Sequence, residues 1–246
     1  MAFFLWKFKV VKKNHHHFKS SQLWTSSKST VQIYFALCTH IIRHFFFLLV
    51  KKQPITINTP RAQKLLPELK HGGIILTAHL GYWEWMGAYL TQNKVPLVAS
   101  YLPPTNKLAH KTIKHLRNRW GYQTINLQSN PQYIRKLINK KKVIAILVDQ
   151  NHRKTKPPAF KTQLFNKNVE LSPWAPWLQK NCIKHKFYAA RMIKKPKGIF
   201  EFDLVELTDP MKEFGPWLEK EIIAYPEQWS NWTHKIFKST YPEIYT

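Results

Sequence analysis

The six residues Val143–Val148, VIAILV, are apolar without interruption, and four of them are β-branched. The run is too short for a buried helix and has no polar face, so it reads as a strand covered on both sides, the central kind found in parallel sheets. Parallel strands need crossover connections, and the chain from Gly72 onward supplies them. Ile74–Ala78 reads as a strand ending at His79, and Gly81 precedes a helix from Tyr82 to Leu90. Pro96–Ser100 is a second strand, Thr105–Arg119 a basic helix closed by Gly121, and Gln123–Leu127 a third strand. Asn130-Pro131 opens a helix to Lys140 as N-cap and first residue. After VIAILV comes a polar loop of about twenty residues, then a helix opened by Ser172-Pro173 and ending near Asn181. Phe187–Met192 and Ile199–Leu207 flank a KKPKG turn as a hairpin, and the segment from Met211 is helical. The expected fold is α/β: a mostly parallel central sheet flanked by helices over residues 72–246, preceded by an amphiphilic N-terminal extension, residues 1–71.

Several chemistries are excluded at once. With seven glycines the chain carries neither GxxxxGK nor GxGxxG, and it has no GxSxG elbow. Cys38 and Cys182 cannot make a disulfide scaffold, and no CxxC pair offers a zinc site. His15, His16 and His17 stand without companion ligands and read as surface residues rather than a metal site.

Lys and Arg number 39 against 13 Asp and Glu, a formal charge of +26. Nucleic acid, an anionic membrane surface or an acidic carrier would each match it, and so would an AT-rich genome that inflates Lys, Asn and Ile together. The acids are more informative. Only Glu68, Glu84 and Asp149 occur before Glu170. Glu84 and Asp149 each follow a strand-like run, where open α/β sheets place their chemistry.

Residues 1–30 mix apolar and basic side chains without a steady period and do not form a clean signal peptide. Residues 31–50, VQIYFALCTHIIRHFFFLLV, are long enough to cross a bilayer. Arg43 at the centre would cost about 3 kcal/mol there. On a helix, His40, Arg43, His44 and Lys51 fall on one face, which suits a helix lying in the membrane interface. A spanning helix and a buried core helix are the other readings.

The segment ILTAHLGYWEWMGA concentrates the chemistry. On one continuous helix His79 and Glu84 would diverge by roughly 140°. They meet only if His79 sits in the strand–helix turn and Glu84 in the first helical turn, as Gly81 permits. Glu84 would then hold one ring nitrogen of His79 and leave the other to take a proton from a hydroxyl. Without that meeting, the pair is a buried histidine and an unrelated helix N-terminal acid.

HLGYWE resembles the H-x4-E/D motif of the bacterial lipid A biosynthesis acyltransferases, the late lauroyl/myristoyl transferases, usually written HFGNWE. Four further blocks follow in the family's order: YLPPTNKLAHKTIKHLRNRWG, LVDQ, FKTQLFNKNVELSPWAPWLQK and YPEQWSNWTHKIFK. The likeness covers about Gly72 to Lys238. There are departures: the second block's arginine falls at Leu102, the asparagine before Trp-Glu is Tyr82, and the glycine closing the aromatic loop is Asn166.

The resemblance implies a glycerolipid-acyltransferase-like fold and an O-acyltransferase without cofactor. His79 would be the general base oriented by Glu84, passing an acyl group directly from an acyl carrier protein or coenzyme A thioester to a hydroxyl of a lipid A precursor. It places the protein at the cytoplasmic side of a bacterial inner membrane. Arg117 and Arg119 become candidate oxyanion or substrate contacts, and Asp149 and Gln150 would line the same crevice. Trp83, Trp85, Phe160 and Phe165 could line an acyl groove. Lys107, Lys111, Lys114, Arg117 and Arg119 would steer an acidic carrier or a phosphorylated acceptor. Competing readings are a glycerophospholipid acyltransferase, whose Pro-Glu-Gly block is absent, a basic nucleic-acid-binding protein without enzymatic activity, and an inactive relative.

Overall fold

The computed structural model describes residues 2–49, 55–101, 111, 115, 117–126, 131–150 and 159–246. The N-terminal helices α1 (Ala2–Lys19) and α2 (Thr30–Leu49) lead into β1 (Thr56–Asn58) and α3 (Pro60–Leu69). Then come β2 (Gly73–Thr77), α4 (Trp83–Gln92), β3 (Leu97–Ser100), β4 (Gln123–Ile125), α5 (Pro131–Asn139) and β5 (Val143–Leu147). A hairpin of β6 (Phe160–Leu164) and β7 (Lys167–Leu171) precedes α6 (Trp174–Asn181). The chain closes with β8 (Phe187–Lys194), β9 (Phe200–Leu207), α7 (Pro210–Ala224) and short 3-10 turns.

The main sheet has the order β1-β9-β8-β2-β5-β3-β4. β8, β2, β5, β3 and β4 run parallel, and β9 and β1 run against them. Every residue of β2 is buried, as is β5 from Val143 to Ile146, which is why these strands read as largely apolar runs. Two ionic groups clasp the reversed edge. Arg61 forks onto the buried Asp203 carboxylate, and Arg191 reaches Glu221 at 2.6 Å and Glu201 at 3.1 Å.

Most expected elements are present, with two corrections. The twenty-residue polar loop is in part the β6–β7 hairpin, whose turn at Phe165 and Asn166 has φ of 54° and 58°. Asparagine tolerates that left-handed conformation, so the departure from glycine at Asn166 leaves the turn intact. The helix near Ser172 is capped by Pro173 without a side-chain hydrogen bond. The helical stretch ending at Arg119 is described only at residues 111, 115 and 117–119. Lys107, Lys114, Leu102, Leu127 and Asn130 lie outside the described residues.

The N-terminal extension is not set apart from the domain. β1 pairs with β9, and Val11, Phe18, Trp24, Ile33 and Leu37 belong to the main core. Asn14 donates to the carbonyls of Trp232 (2.8 Å) and His234 (2.7 Å), fastening α1 to the C-terminal segment. His15 is buried rather than on the surface, its Nδ1 2.7 Å from the Thr30 hydroxyl and its ring edge-on to Trp24 and Trp232. On α2, His40 faces the interior while Arg43 is exposed, so the two do not share the polar face the spacing suggested. The outer side of α2 carries Val31, Phe35 (66 % exposed) and Ile42 (70 % exposed). Among the described residues, no helix is long and apolar enough to cross a membrane.

Burial lowers the pKa of His15 from 6.5 to about 4, with Lys19 and His16 adding to the effect. Burial does the same to His40, down to about 4, although its bond to the Gly81 carbonyl acts in the other direction. Both rings are therefore neutral in the folded protein at pH 7, whereas in the unfolded chain they gain protons below about pH 6.5. Their contribution to stability is complete above pH 6.5 and is lost as the pH falls toward 4, on the order of 2–3 kcal/mol for each ring. Urea unfolding at pH 7 and pH 4.5 should register that fall, and His15→Phe should reduce it; equal midpoints would contradict the burial of both rings.

Candidate active site

β2 and β5 pair in parallel from Gly73↔Val143 to Thr77↔Leu147. The Val148 N–H donates to the Thr77 carbonyl at 2.8 Å, so the ladder continues past the strand ends. Carried two residues further, the same register sets His79 opposite Asp149. His79 Nδ1 lies 2.7 Å from Asp149 Oδ1. The His79 backbone N–H donates to Oδ2 at 2.9 Å, and the Trp229 indole donates to the same oxygen at 2.9 Å. Asn231 donates its side-chain amide to the Asp149 backbone carbonyl.

Asp149 is completely buried. Burial pushes its pKa up, but the charge and hydrogen bonds of His79 and the bond from Trp229 outweigh it and hold the carboxyl below the ordinary value. An ionised Asp149 can only accept, so Nδ1 of His79 carries the proton between them and Nε2 is left as the basic nitrogen. The imidazole side chain is 20 % exposed, and the Trp83 ring stands edge-on to it at 5.2 Å. A buried carboxylate, an imidazole oriented by it and a ring nitrogen near solvent are the parts that general-base chemistry requires.

This corrects the expected partner of His79: Asp149, not Glu84, holds Nδ1. Glu84, buried in the first turn of α4, accepts instead from Arg117 Nε at 2.9 Å, from a second Arg117 nitrogen, and from the Tyr122 hydroxyl at 2.6 Å. Burial alone would lower the Arg117 pKa and raise that of Tyr122; the Glu84 charge raises both, so Arg117 stays cationic and Tyr122 keeps its proton. A five-residue spacing within one segment could not reveal this, because the imidazole's partner comes from the neighbouring strand.

The turn between His79 and α4 is fixed by its backbone. The His79 carbonyl accepts from Ser230 N–H at 2.8 Å. Gly81 N–H donates to the Gln228 carbonyl at 2.9 Å, and Tyr82 N–H donates to the Met192 carbonyl at 2.7 Å. Gly81 has φ of 63°, and a Cβ there would lie 2.0 Å from the Met192 oxygen, so glycine is required.

Gln150 reaches toward His234, with 3.4 Å between Nε2 atoms. Arg117 is committed to Glu84, and Arg119 is exposed with its guanidinium 5.8 Å from the Trp120 ring centre. Trp85, Phe160 and Phe165 are core side chains. Trp229, Asn231, Tyr122 and His234 were not singled out from sequence. Trp229, Asn231 and His234 lie in the YPEQWSNWTHKIFK block, whose likeness to the family was legible but whose contact with Asp149 was not.

The family model of the bacterial lipid A biosynthesis acyltransferases matches residues 64–239. The chain belongs to that family. It is accordingly an acyltransferase of the lipid A biosynthesis type. No match was found among curated proteins. The match takes in His79, Glu84, Arg117, Asp149 and the Trp229–Asn231 segment, while α1 and α2 lie before it.

Two outcomes follow for this acyltransferase. Glu84→Gln removes the charge that compensates a largely buried Arg117 and should destabilise the fold by about 3–5 kcal/mol, with much of the loss recovered on adding Arg117→Met; chemical denaturation of the single and double variants measures both. Gly81→Ala should prevent the turn from closing, seen as loss of soluble folded protein; a stable, active variant would contradict the geometry given for that turn.

Proposed function

We propose that this acyltransferase moves a fatty acyl group from the thioester of acyl carrier protein or coenzyme A to a hydroxyl of a lipid A precursor or related glycolipid, with His79 as general base and Asp149 as its orienting carboxylate. The observation that carries the reading is the 2.7 Å contact from Nδ1 to a buried, ionised Asp149, which leaves Nε2 basic. Nε2 takes the acceptor's proton as the hydroxyl oxygen attacks the thioester carbonyl carbon. The tetrahedral intermediate collapses with cleavage of the C–S bond, and the imidazolium returns the proton to the departing sulfur. No acyl-enzyme is needed. Glu84 acts indirectly, fixing the first turn of α4 through Arg117 and Tyr122.

Gln150 and His234 are proposed to border the acceptor. Arg119 and Lys111, both exposed, are proposed to belong to a positive face that attracts the acidic carrier or the acceptor's phosphates. The apolar outer side of α2, with Phe35 and Ile42, supports association with the cytoplasmic surface of the inner membrane by a helix lying in the interface.

Purified protein assayed with lauroyl and palmitoyl thioesters and a lipid A precursor tests the reading. His79→Ala should abolish transfer. Asp149→Asn should reduce kcat by at least about a hundredfold, because a neutral amide no longer stabilises the imidazolium. Full transfer by His79→Ala would overturn the catalytic assignment. On fractionation the protein should stay with membranes in high salt and leave them in detergent, whereas a nucleic-acid-binding protein would be released by salt.

A further inference from the structure

The turn that carries His79 is held by residues from several parts of the chain, and one of them precedes the family match. His40, on the inner face of α2, donates from Nε2 to the Gly81 carbonyl at 3.1 Å. A carbonyl oxygen only accepts, so the proton of this bond sits on Nε2. The His40 side chain is buried, and its ring stands at 88° to that of Tyr82 with 4.8 Å between centroids. Gly81 is therefore gripped at both ends of its residue: its N–H by the Gln228 carbonyl and its C=O by His40. The His79 backbone is gripped in the same way, its N–H by Asp149 and its C=O by the Ser230 N–H.

These bonds matter because left-handed Gly81 has no side chain of its own to anchor the bend. Without the His40 bond, a buried carbonyl two residues from the imidazole loses its partner, and the peptide can rotate to seek another. Rotation there tilts His79 relative to Asp149, and small misplacements of a catalytic group are costly in rate. The grip is itself supported from α2, where Ile33, Tyr34 and Leu37 are buried, and from the loop before it, where Lys28 pairs with Glu227 beside Gln228.

We infer that His40 is a positioning residue for catalysis: by holding the Gly81 carbonyl, the N-terminal helix α2 sets the orientation of His79 toward Asp149 and the substrate. This rests on the reading of His79 as general base. It gives α2 a role in the chemistry apart from any role its outer apolar side plays at a membrane.

The test uses the full chain as wild type, His40→Ala, His40→Gln and His79→Ala. Transfer is measured with lauroyl carrier-protein thioester, palmitoyl-CoA and a lipid A precursor, and hydrogen exchange is followed over residues 78–84. His40→Ala should lower kcat by about tenfold to a hundredfold while KM stays within about twofold. His40→Gln, whose amide can still donate, should recover most of that loss. An unchanged kcat in His40→Ala, or a loss confined to KM, would overturn the inference. Should His79→Ala retain full transfer, the functional reading fails by itself, and the same is true if wild type transfers nothing. The positioning role is then judged on exchange alone: faster exchange at residues 79–82 in His40→Ala, reversed in His40→Gln, supports the grip, and unchanged exchange overturns it.

Discussion

A carboxylate with no exposed surface has to be satisfied from every side, and Asp149 is satisfied by groups from distant parts of the chain. The imidazole and backbone N–H of His79 come from the end of β2, and the indole of Trp229 comes from the C-terminal segment. Removing any donor leaves a buried charge short of a partner, so the same bonds that shape the site also tie its elements together. What makes the meeting possible is the parallel pairing of β2 and β5, in a register that brings residues 79 and 149 abreast. A slip of one residue would turn one of the two side chains to the opposite face and part them.

Behind Asp149 stands a wall of aromatic rings. Trp229 packs against Trp232 at 4.9 Å, Phe18 of α1 lies against Trp232 and Phe237, and Trp24 lies against Trp232 and Phe165. This dry surround strengthens the hydrogen bonds to the carboxylate and fixes the indole that donates to it. The N-terminal helices thus belong to the support of the site. α1 supplies Phe18 to the rings around Trp229, and α2 supplies His40 to the Gly81 carbonyl.

The sheet was legible because buried parallel strands leave a plain signature: GIILT and VIAIL are largely apolar five-residue runs, each followed by one apolar residue and then by His79 or Asp149. That shared spacing contained the true partner of His79. Reading it required knowing that β2 and β5 are neighbours, which spacing within HLGYWE cannot supply. Glu84 misled because proximity in sequence resembles proximity in space only inside one element, and Gly81 turns the chain between the two residues. The inward placement of His15 and His40 was hidden for another reason. Burial of a neutral imidazole depends on the surface it meets, and here that surface comes from residues up to about two hundred positions away. The fold of the β6–β7 hairpin was obscured by a turn built on Phe165 and Asn166 rather than on glycine.

The central claim is that His79 carries its proton on Nδ1, given over to an ionised Asp149, with Nε2 free to accept another. Nitrogen-15 NMR of the histidine rings at neutral pH, with His79 assigned by its absence from His79→Ala, reads the tautomer directly. The account predicts that Nδ1 carries the shared proton, and that this preference reverts to the ordinary Nε2-protonated mixture in Asp149→Ala. A ring protonated at Nε2 in the wild-type protein, unchanged by loss of Asp149, would contradict it.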